Sequence, residues 1–215
     1  TNKCNSKCIM CNIWKHQDNG ELSPEQLYEI LTNRIFKKVT HIGISGGEPT
    51  LRKDLPEIFE KIIVAIPAIS SLNIITNGVL YENVTICLEE LSDVCKKNKK
   101  NFSVMLSLDG VGEVHDKIRG VKGNFLSVVK TIDFCNKNKI PVSVGCTITK
   151  TNVYYVDELL DFIKEISVYG RFRVAEFINR LDNYENIGVI KNFDDDEKYN
   201  LILFFYKLVF EYELN

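Results

Sequence analysis

The sequence predicts a single α/β domain built on a parallel β-sheet. Short β-branched or apolar runs alternate with helix-period segments, and each run ends in Gly, Asn, Asp or Thr. No internal repeat, low-complexity linker or shift in composition divides the 215 residues. Repeated strand–helix units of this length imply right-handed crossovers and parallel strands.

Taken in chain order, a first strand is expected just before the cysteines that open the sequence. The chain starts at Thr1, so most of that strand is expected to be missing and the chain to be a fragment. Ser23-Pro24-Glu25-Gln26 is a capping box with proline at the first helical position, predicting a helix to about Lys37. Strands are expected at Val39–Ser45, Leu72–Thr76, Phe102–Leu108, Val142–Ile148 and Arg171–Phe177. Helices are expected near Leu55–Ala65, Asn83–Lys97, Asn124–Asn136 and Asp157–Ile166. Asp194, Asp195, Asp196 and Glu197 sit where acids favour a helix start, ahead of the apolar Leu201–Phe210 run.

Composition bounds the function. Hydrophobic residues are 45% and charged residues 26% of the chain, enough apolar material for a sizeable core. The net charge of −2 gives no basic excess for nucleic acid. The basic run Lys96, Lys97, Lys99, Lys100 reads as a solvated helix end. No stretch reaches the roughly 18 apolar residues of a membrane span, and no signal-peptide pattern opens the chain. Seven cysteines, an odd number in a chain this long, point to a reducing compartment and a cytoplasmic protein. In that setting the glycosylation-type triplets at Asn83 and Asn101 are chance matches.

Cys4, Cys8 and Cys11, at C-x3-C-x2-C, can wrap one compact metal centre from a single loop. A [4Fe–4S] cluster held by three thiolates keeps one iron with an exchangeable site. A zinc site with His16 as fourth ligand explains the same spacing. A second motif bears on the choice. Gly46-Gly47-Glu48-Pro49 follows a strand end, where glycines let the backbone approach a ligand and an acid can receive an ammonium group.

The triad together with Gly46-Gly47-Glu48-Pro49 resembles the radical S-adenosylmethionine (radical SAM) superfamily. Thr76-Asn77-Gly78, Ser107-Leu108-Asp109-Gly110 and the stretch His115–Gly120 bring the resemblance closer to one branch. That branch contains the molybdenum-cofactor GTP cyclase, the anaerobic sulfatase-maturing enzymes and the SPASM-type peptide maturases. The likeness covers about Thr1 to Phe177.

The resemblance implies a partial (β/α)6 TIM-type barrel, and every motif falls at a C-terminal strand end, including Thr149 and the Glu176–Ile178 edge, where parallel barrels place their chemistry. It implies that Cys4, Cys8 and Cys11 ligate the cluster and that the methionine amine and carboxylate of S-adenosylmethionine chelate the open iron. Gly46, Gly47 and Glu48 then meet the amine, with Thr76 and Asn77 beside them. Ser107 contacts the ribose or carboxylate, with Asp109 close by. Arg119 is a carboxylate partner, although a surface ion pair with Asp116 would explain it as well. Ile178 packs on the adenine or offers it backbone contacts. The residue before the third cysteine is usually aromatic in this family and lies near the adenine. Here it is Met10, whose thioether can pack against an aromatic ring.

Other residues read more plainly. Trp14 is expected in core or loop packing, and Cys87, Cys95, Cys135 and Cys146 as buried inert thiols. The last cysteine is Cys146, so no auxiliary cluster is visible. His41 reads as structural, while His115, in a short turn after Asp109, is a candidate acid–base group. The implied activity is reductive cleavage of S-adenosylmethionine to a 5′-deoxyadenosyl radical that abstracts hydrogen from a peptide or small-molecule substrate. An electron donor such as flavodoxin or ferredoxin is implied with it. A nucleotide cyclase is the alternative within the class, and a non-catalytic zinc or electron-transfer module the alternative outside it.

Overall fold

A computed structural model describes residues 1–16 and 20–212, the side chains of 211 and 212 excepted. Five parallel strands stand in sequential order: β1 (His41–Ile44), β2 (Ser71–Thr76), β3 (Asn101–Ser107), β4 (Val142–Ile148) and β5 (Tyr169–Val174). Because each crossover joins neighbouring strands with the same hand, the intervening helices gather on one face of the sheet and leave the other open. The helices are α1 (Pro24–Leu31), α2 (Leu55–Ala65), α3 (Tyr81–Lys97), α4 (Glu113–Arg119), α5 (Asn124–Lys137), α6 (Val156–Glu165), α7 (Ile187–Ile190) and α8 (Asp195–Tyr212).

Strand alternation sorts the residues. Leu72, Ile74, Val104, Leu106, Val144 and Ile148 are buried against the helices, where they meet Phe59, Leu88, Leu91, Val128, Leu160 and Phe204 in one continuous core. A smaller cluster of Met10, Ile118, Ala175 and Ile190 lies beneath the cysteine loop. Cys87, Cys95, Cys135 and Cys146 are buried, as expected, and burial pushes the first three thiols up to about 12, 11 and 12.

The capping box forms: Gln26 N donates to Ser23 Oγ and Ser23 N to Gln26 Oε1. Helix α1 stops at Leu31, short of Lys37, because side chains there compete for the backbone. Thr32 Oγ1 donates to Glu29 O, and Asn33 Oδ1 accepts from Ile35 N to start a separate 3-10 turn. Helix α4 was not expected; Val114 and Ile118, one turn apart, were its signal. Strand β5 begins two residues early and ends at Val174, after which Ala175 N still reaches Ile148 O before the ladder ends.

At the end of β1, Gly47 N and Glu48 N donate to Thr1 O and Lys3 O, both at 2.8 Å. Thr1–Lys3 therefore runs alongside the segment that leaves β1. Among the described residues no helix is long and apolar enough to cross a membrane.

Candidate cofactor site at the strand ends

The cysteine loop is stitched to three neighbours. Lys7 N and Ile9 N donate to Arg119 O and Ile118 O at the end of α4. From the segment after β5, Asn186 Nδ2 donates to Ile9 O and Asn183 Nδ2 to Met10 O. Asn12 returns the contact, its N donating to Leu181 O and its Nδ2 to Asp182 O. On the β2 side, Asn77 Nδ2 donates to Asn5 Oδ1 at 2.7 Å and lies 3.8 Å from Cys4 Sγ. Met10 anchors the loop from below with its side chain in the smaller apolar cluster. Trp14 Nε1 donates to Cys11 O.

All three cysteines of the loop are half-buried free thiols that feel one another's charge. Burial pushes Cys4 up to about 11 and raises Cys8 and Cys11 as well, with Arg119 pulling Cys8 the other way. Metal binding here would release protons, since only thiolates ligate. Among the described residues no three His, Cys, Asp or Glu side chains converge closely enough to share one ion. His16 Nε2 faces Asp182 Oδ2 at 3.2 Å, so the fourth zinc ligand has another partner. Three thiolates offered from one loop, with one iron left open, are what a [4Fe–4S] cluster can take. The donor set fits a cluster.

The glycines of the Gly46–Pro49 motif admit the N-terminal segment. A Cβ on Gly47 would lie 2.2 Å from Lys3 O, so any side chain there would displace the chain leading into the cysteines. Glu48 does not present its carboxylate as expected for an ammonium partner. It is fully buried and takes four donors: Thr50 N, Thr50 Oγ1 and Thr76 Oγ1 on Oε1, and Asn77 N on Oε2. Burial raises its pKa against the pull of those hydrogen bonds. Glu48 thus acts as a strut between the ends of β1 and β2, taking the hydroxyl of Thr76 and the backbone N–H of Asn77, whose side chain is left to reach the cysteine loop. Gly78 turns that corner at φ 66°, a conformation few side chains accept.

A second buried carboxylate organises the far side. Asp109 Oδ1 accepts from Thr147 N, and Oδ2 lies 2.6 Å from Arg119 Nε in a close charge contact that is not aligned as a hydrogen bond. Arg119 also reaches Cys8 Sγ, with Nη1 at 3.7 Å. Burial works against its charge, but Asp109 and Cys8 more than offset that and hold its pKa above the ordinary value. The surface ion pair with Asp116 does not form; the guanidinium of Arg119 lies inside the site between Asp109 and Cys8. Asp116 instead accepts from Gly123 N and Phe125 N at the start of α5.

His115 is fully buried, not an accessible acid–base group. Asp109 N donates to its Nδ1, so the proton is on Nε2, which donates to Asn124 Oδ1. Burial lowers its pKa to about 4. Asn124 Nδ2 then donates to Asn77 O, closing a buried path from β3 back to β2. Asn152 extends it to β4: Nδ2 donates to Asp109 O, and Oδ1 accepts from Thr149 N and Thr149 Oγ1. His41 lies at the opposite end of the sheet, beside Ser71 Oγ.

Two expected ligand contacts remain open to the site. Ser107 is half-exposed, and among the described residues its hydroxyl has no hydrogen-bond partner. Ile178 stands half-exposed on the segment after β5, its N donating to Asn183 Oδ1. Asn12, Asn124, Asn152, Asn183 and Asn186 are the functional supports that the sequence reading missed. Each satisfies backbone groups of a bend, which asparagine does well, but which bend it serves is decided by contacts distant in sequence.

Comparison with known proteins places this geometry. Residues 1–166 match the family model of the Radical SAM superfamily. The chain is 31% identical over 173 residues to the sporulation killing factor maturation protein SkfB of Bacillus subtilis, covering 80% of this chain and 39% of that protein. It is 30% identical over 205 residues to the probable GTP 3′,8-cyclase of Methanocaldococcus jannaschii, covering 89% of this chain and 63% of that one. Among solved structures, native anSMEcpe with bound AdoMet and the Cp18Cys peptide superposes with a TM-score of 0.72 at 22% identity, over 100% of this chain and 59% of that one. The chain thus spans 39% to 63% of the length of these proteins.

Proposed function

The chain belongs to the Radical SAM superfamily, and from that premise we propose that residues 1–215 act as one radical SAM core domain that modifies a peptide. Enzymes of this family use a [4Fe–4S] cluster and S-adenosylmethionine. Bound together, these supply a 5′-deoxyadenosyl radical that abstracts hydrogen from a substrate.

The chain's own residues would hold and orient the pair. Cys4, Cys8 and Cys11 would ligate the cluster. Arg119, beside Cys8 Sγ, would offset part of its negative charge. The Glu48 strut fixes Asn77, which in turn fixes Asn5 on the cysteine loop. Ser107 offers an unspent hydroxyl to the cofactor. An electron would come from a flavodoxin- or ferredoxin-type donor.

The observation that carries this reading is the loop itself: three thiols that feel one another's charge, pinned from three sides at the C-terminal strand edge. Likeness to a peptide-maturation protein and to an enzyme crystallised with a peptide supports a peptide substrate. A nucleotide cyclase is the second reading, favoured by the 205-residue match to the probable GTP cyclase.

Anaerobic reconstitution tests the metal: about four irons and four sulfides per chain are expected, with most iron lost in Cys8→Ala. Stoichiometric zinc without sulfide would sink the proposal. With dithionite and S-adenosylmethionine, slow release of 5′-deoxyadenosine is expected. Consumption of GTP without modification of any peptide would transfer the assignment to the second reading.

A further inference from the structure

The open face of the sheet is lined unlike a closed barrel. Packed parallel barrels fill their interior with bulky branched side chains. Here one inward row is Ser107, at the end of β3, with Gly145 and Arg171, paired across three strands, and the next row pairs Thr147 with Arg173. The direction of β5 is fixed by its other face. A Cβ on Gly170 would strike Ile163 Cδ1 of α6 at 2.2 Å, and Phe172 packs on Phe204 of α8 with ring centroids 4.9 Å apart. Arg171 and Arg173 alternate with these residues and so project into the open face, where both are exposed.

Three cations near these strand ends have acid partners. Arg52 pairs with Asp54, Arg119 with Asp109, and Lys150 with Glu197. Arg171 and Arg173 have no hydrogen bond or ion pair among the described residues. Two guanidiniums on alternate residues of one strand stand side by side, separated by roughly two strand rises of about 3.3 Å each. Between Arg171 and the free hydroxyl of Ser107 lies only glycine, with Met105 Sδ as the nearest atom to where its Cβ would be, at 3.0 Å. The open face therefore carries a hydroxyl on β3 and two guanidiniums on β5, with the Met105 thioether beside the glycine between them.

We infer that Arg171 and Arg173 form an anion-recognising wall of the substrate chamber, taking a carboxylate or phosphate group of the substrate. This rests on the proposed radical SAM reading for the chamber's purpose, but not for its chemistry. Guanidinium forks match both anions bidentately, and the shared feature is a planar or tetrahedral oxyanion. The competing explanation is that charges on the last strand of the sheet guard an open edge against pairing with another chain.

Titration of the anaerobically reconstituted chain decides, using tripolyphosphate in one arm and an acidic peptide beside its Asn/Gln counterpart in the other. At least one anion should bind, and the Arg171→Gln/Arg173→Gln double variant should bind it about tenfold or more weakly. The Arg171→Lys/Arg173→Lys double variant should recover part of the loss, since charge returns without the fork. Preference for tripolyphosphate assigns a phosphate-bearing substrate, and preference for the acidic peptide assigns a carboxylate. Affinity for S-adenosylmethionine and substrate-free release of 5′-deoxyadenosine should not change. The inference is overturned if neither anion binds or if the glutamine variant binds equally well. It is also overturned if that variant self-associates with anion binding intact, or loses S-adenosylmethionine, which would give the pair to the cofactor. Absence of 5′-deoxyadenosine from the unmutated chain would instead refute the proposed function, and arginine-dependent anion binding would stand apart from it.

Discussion

Glu48 and Asp109 are both carboxylates buried at strand ends, 0% and 1% exposed, yet they are held in opposite ways. Glu48, after β1, is surrounded by four hydrogen-bond donors and, among the described residues, pairs with no cation. Asp109, after β3, has one amide donor and a guanidinium at 2.6 Å. The first arrangement fixes geometry: it ties β1 to β2 and positions Asn77 under the cysteine loop. The second also fixes charge, because the same guanidinium reaches Cys8. Of two buried acids in one site, the one with a formal ion pair is therefore coupled to the thiols that would carry metal. The hydrogen-bonded acid sets the frame around them.

The largest effect should come from breaking the ion pair. Arg119→Met leaves Asp109 buried without its counter-charge, a loss of about 3–5 kcal/mol in urea unfolding of the metal-free chain. Adding Asp109→Asn removes the stranded charge and should restore part of that loss. Strict additivity of the two substitutions would show that the pair is not coupled and would dissolve the contrast with Glu48.

Next in size is the pH response of His115, which sits against Asp109 N and feels the charges of Asp109, Arg119 and Asp116. Its pKa in the fold is about 4, against about 6.5 for an unperturbed histidine. Between these values the unfolded chain binds the extra proton, so its contribution is complete above pH 6.5 and fades as pH falls towards 4. The loss is about 2 kcal/mol between pH 7 and 5. Glu48 tilts the other way, since a raised carboxyl pKa favours the fold at low pH. The comparison must therefore be with His115→Asn, whose unfolding midpoint should lack this slope. An unchanged slope would assign the titration to another group.

Glu48→Gln should cost less, about 1–2 kcal/mol. The amide keeps one acceptor oxygen but turns an NH2 group toward the donors that Glu48 satisfies. Thermal and urea stability should fall first, with any weakening of S-adenosylmethionine binding following from the looser cysteine loop. Lower cofactor affinity at unchanged stability would mean that the carboxylate does face the ammonium group, and the strut would be the wrong description.

The parts of this molecule that were readable in sequence are those written in local spacing. Capping at Ser23, the five strands and the triad each depend on residues within a few positions of one another. Location of Ser107 at a strand end was legible for the same reason. The roles of Glu48, Arg119 and His115 were not, since each is set by partners from other strands and helices. The N-terminal carbonyl that Gly47 accommodates was not legible either, since it comes from a segment more than forty residues away in sequence. Helix α4 was missed because a seven-residue helix gives the apolar period barely two turns in which to show.

Ser107 gives the smallest effect and the cleanest test, because it stands outside both carboxylate networks. Its strand neighbours Leu106 and Leu108 are buried in the core, which turns Ser107 to the open face. A serine at a strand end often caps the following turn through a local bond. Here its hydroxyl makes no such bond among the described residues, so the protein itself loses nothing when it goes. Ser107→Ala should leave unfolding within about 0.5 kcal/mol of the parent, as substitutions away from special features do. It should leave iron content unchanged and weaken S-adenosylmethionine by about 0.5–1.5 kcal/mol, the net worth of one neutral hydrogen bond. A cofactor titration beside a melting curve on the same variant separates the outcomes. A lower melting temperature with equal affinity would place Ser107 in the frame with Glu48. Lower affinity with an unchanged melt places it in the chamber, facing the ligand across Gly145.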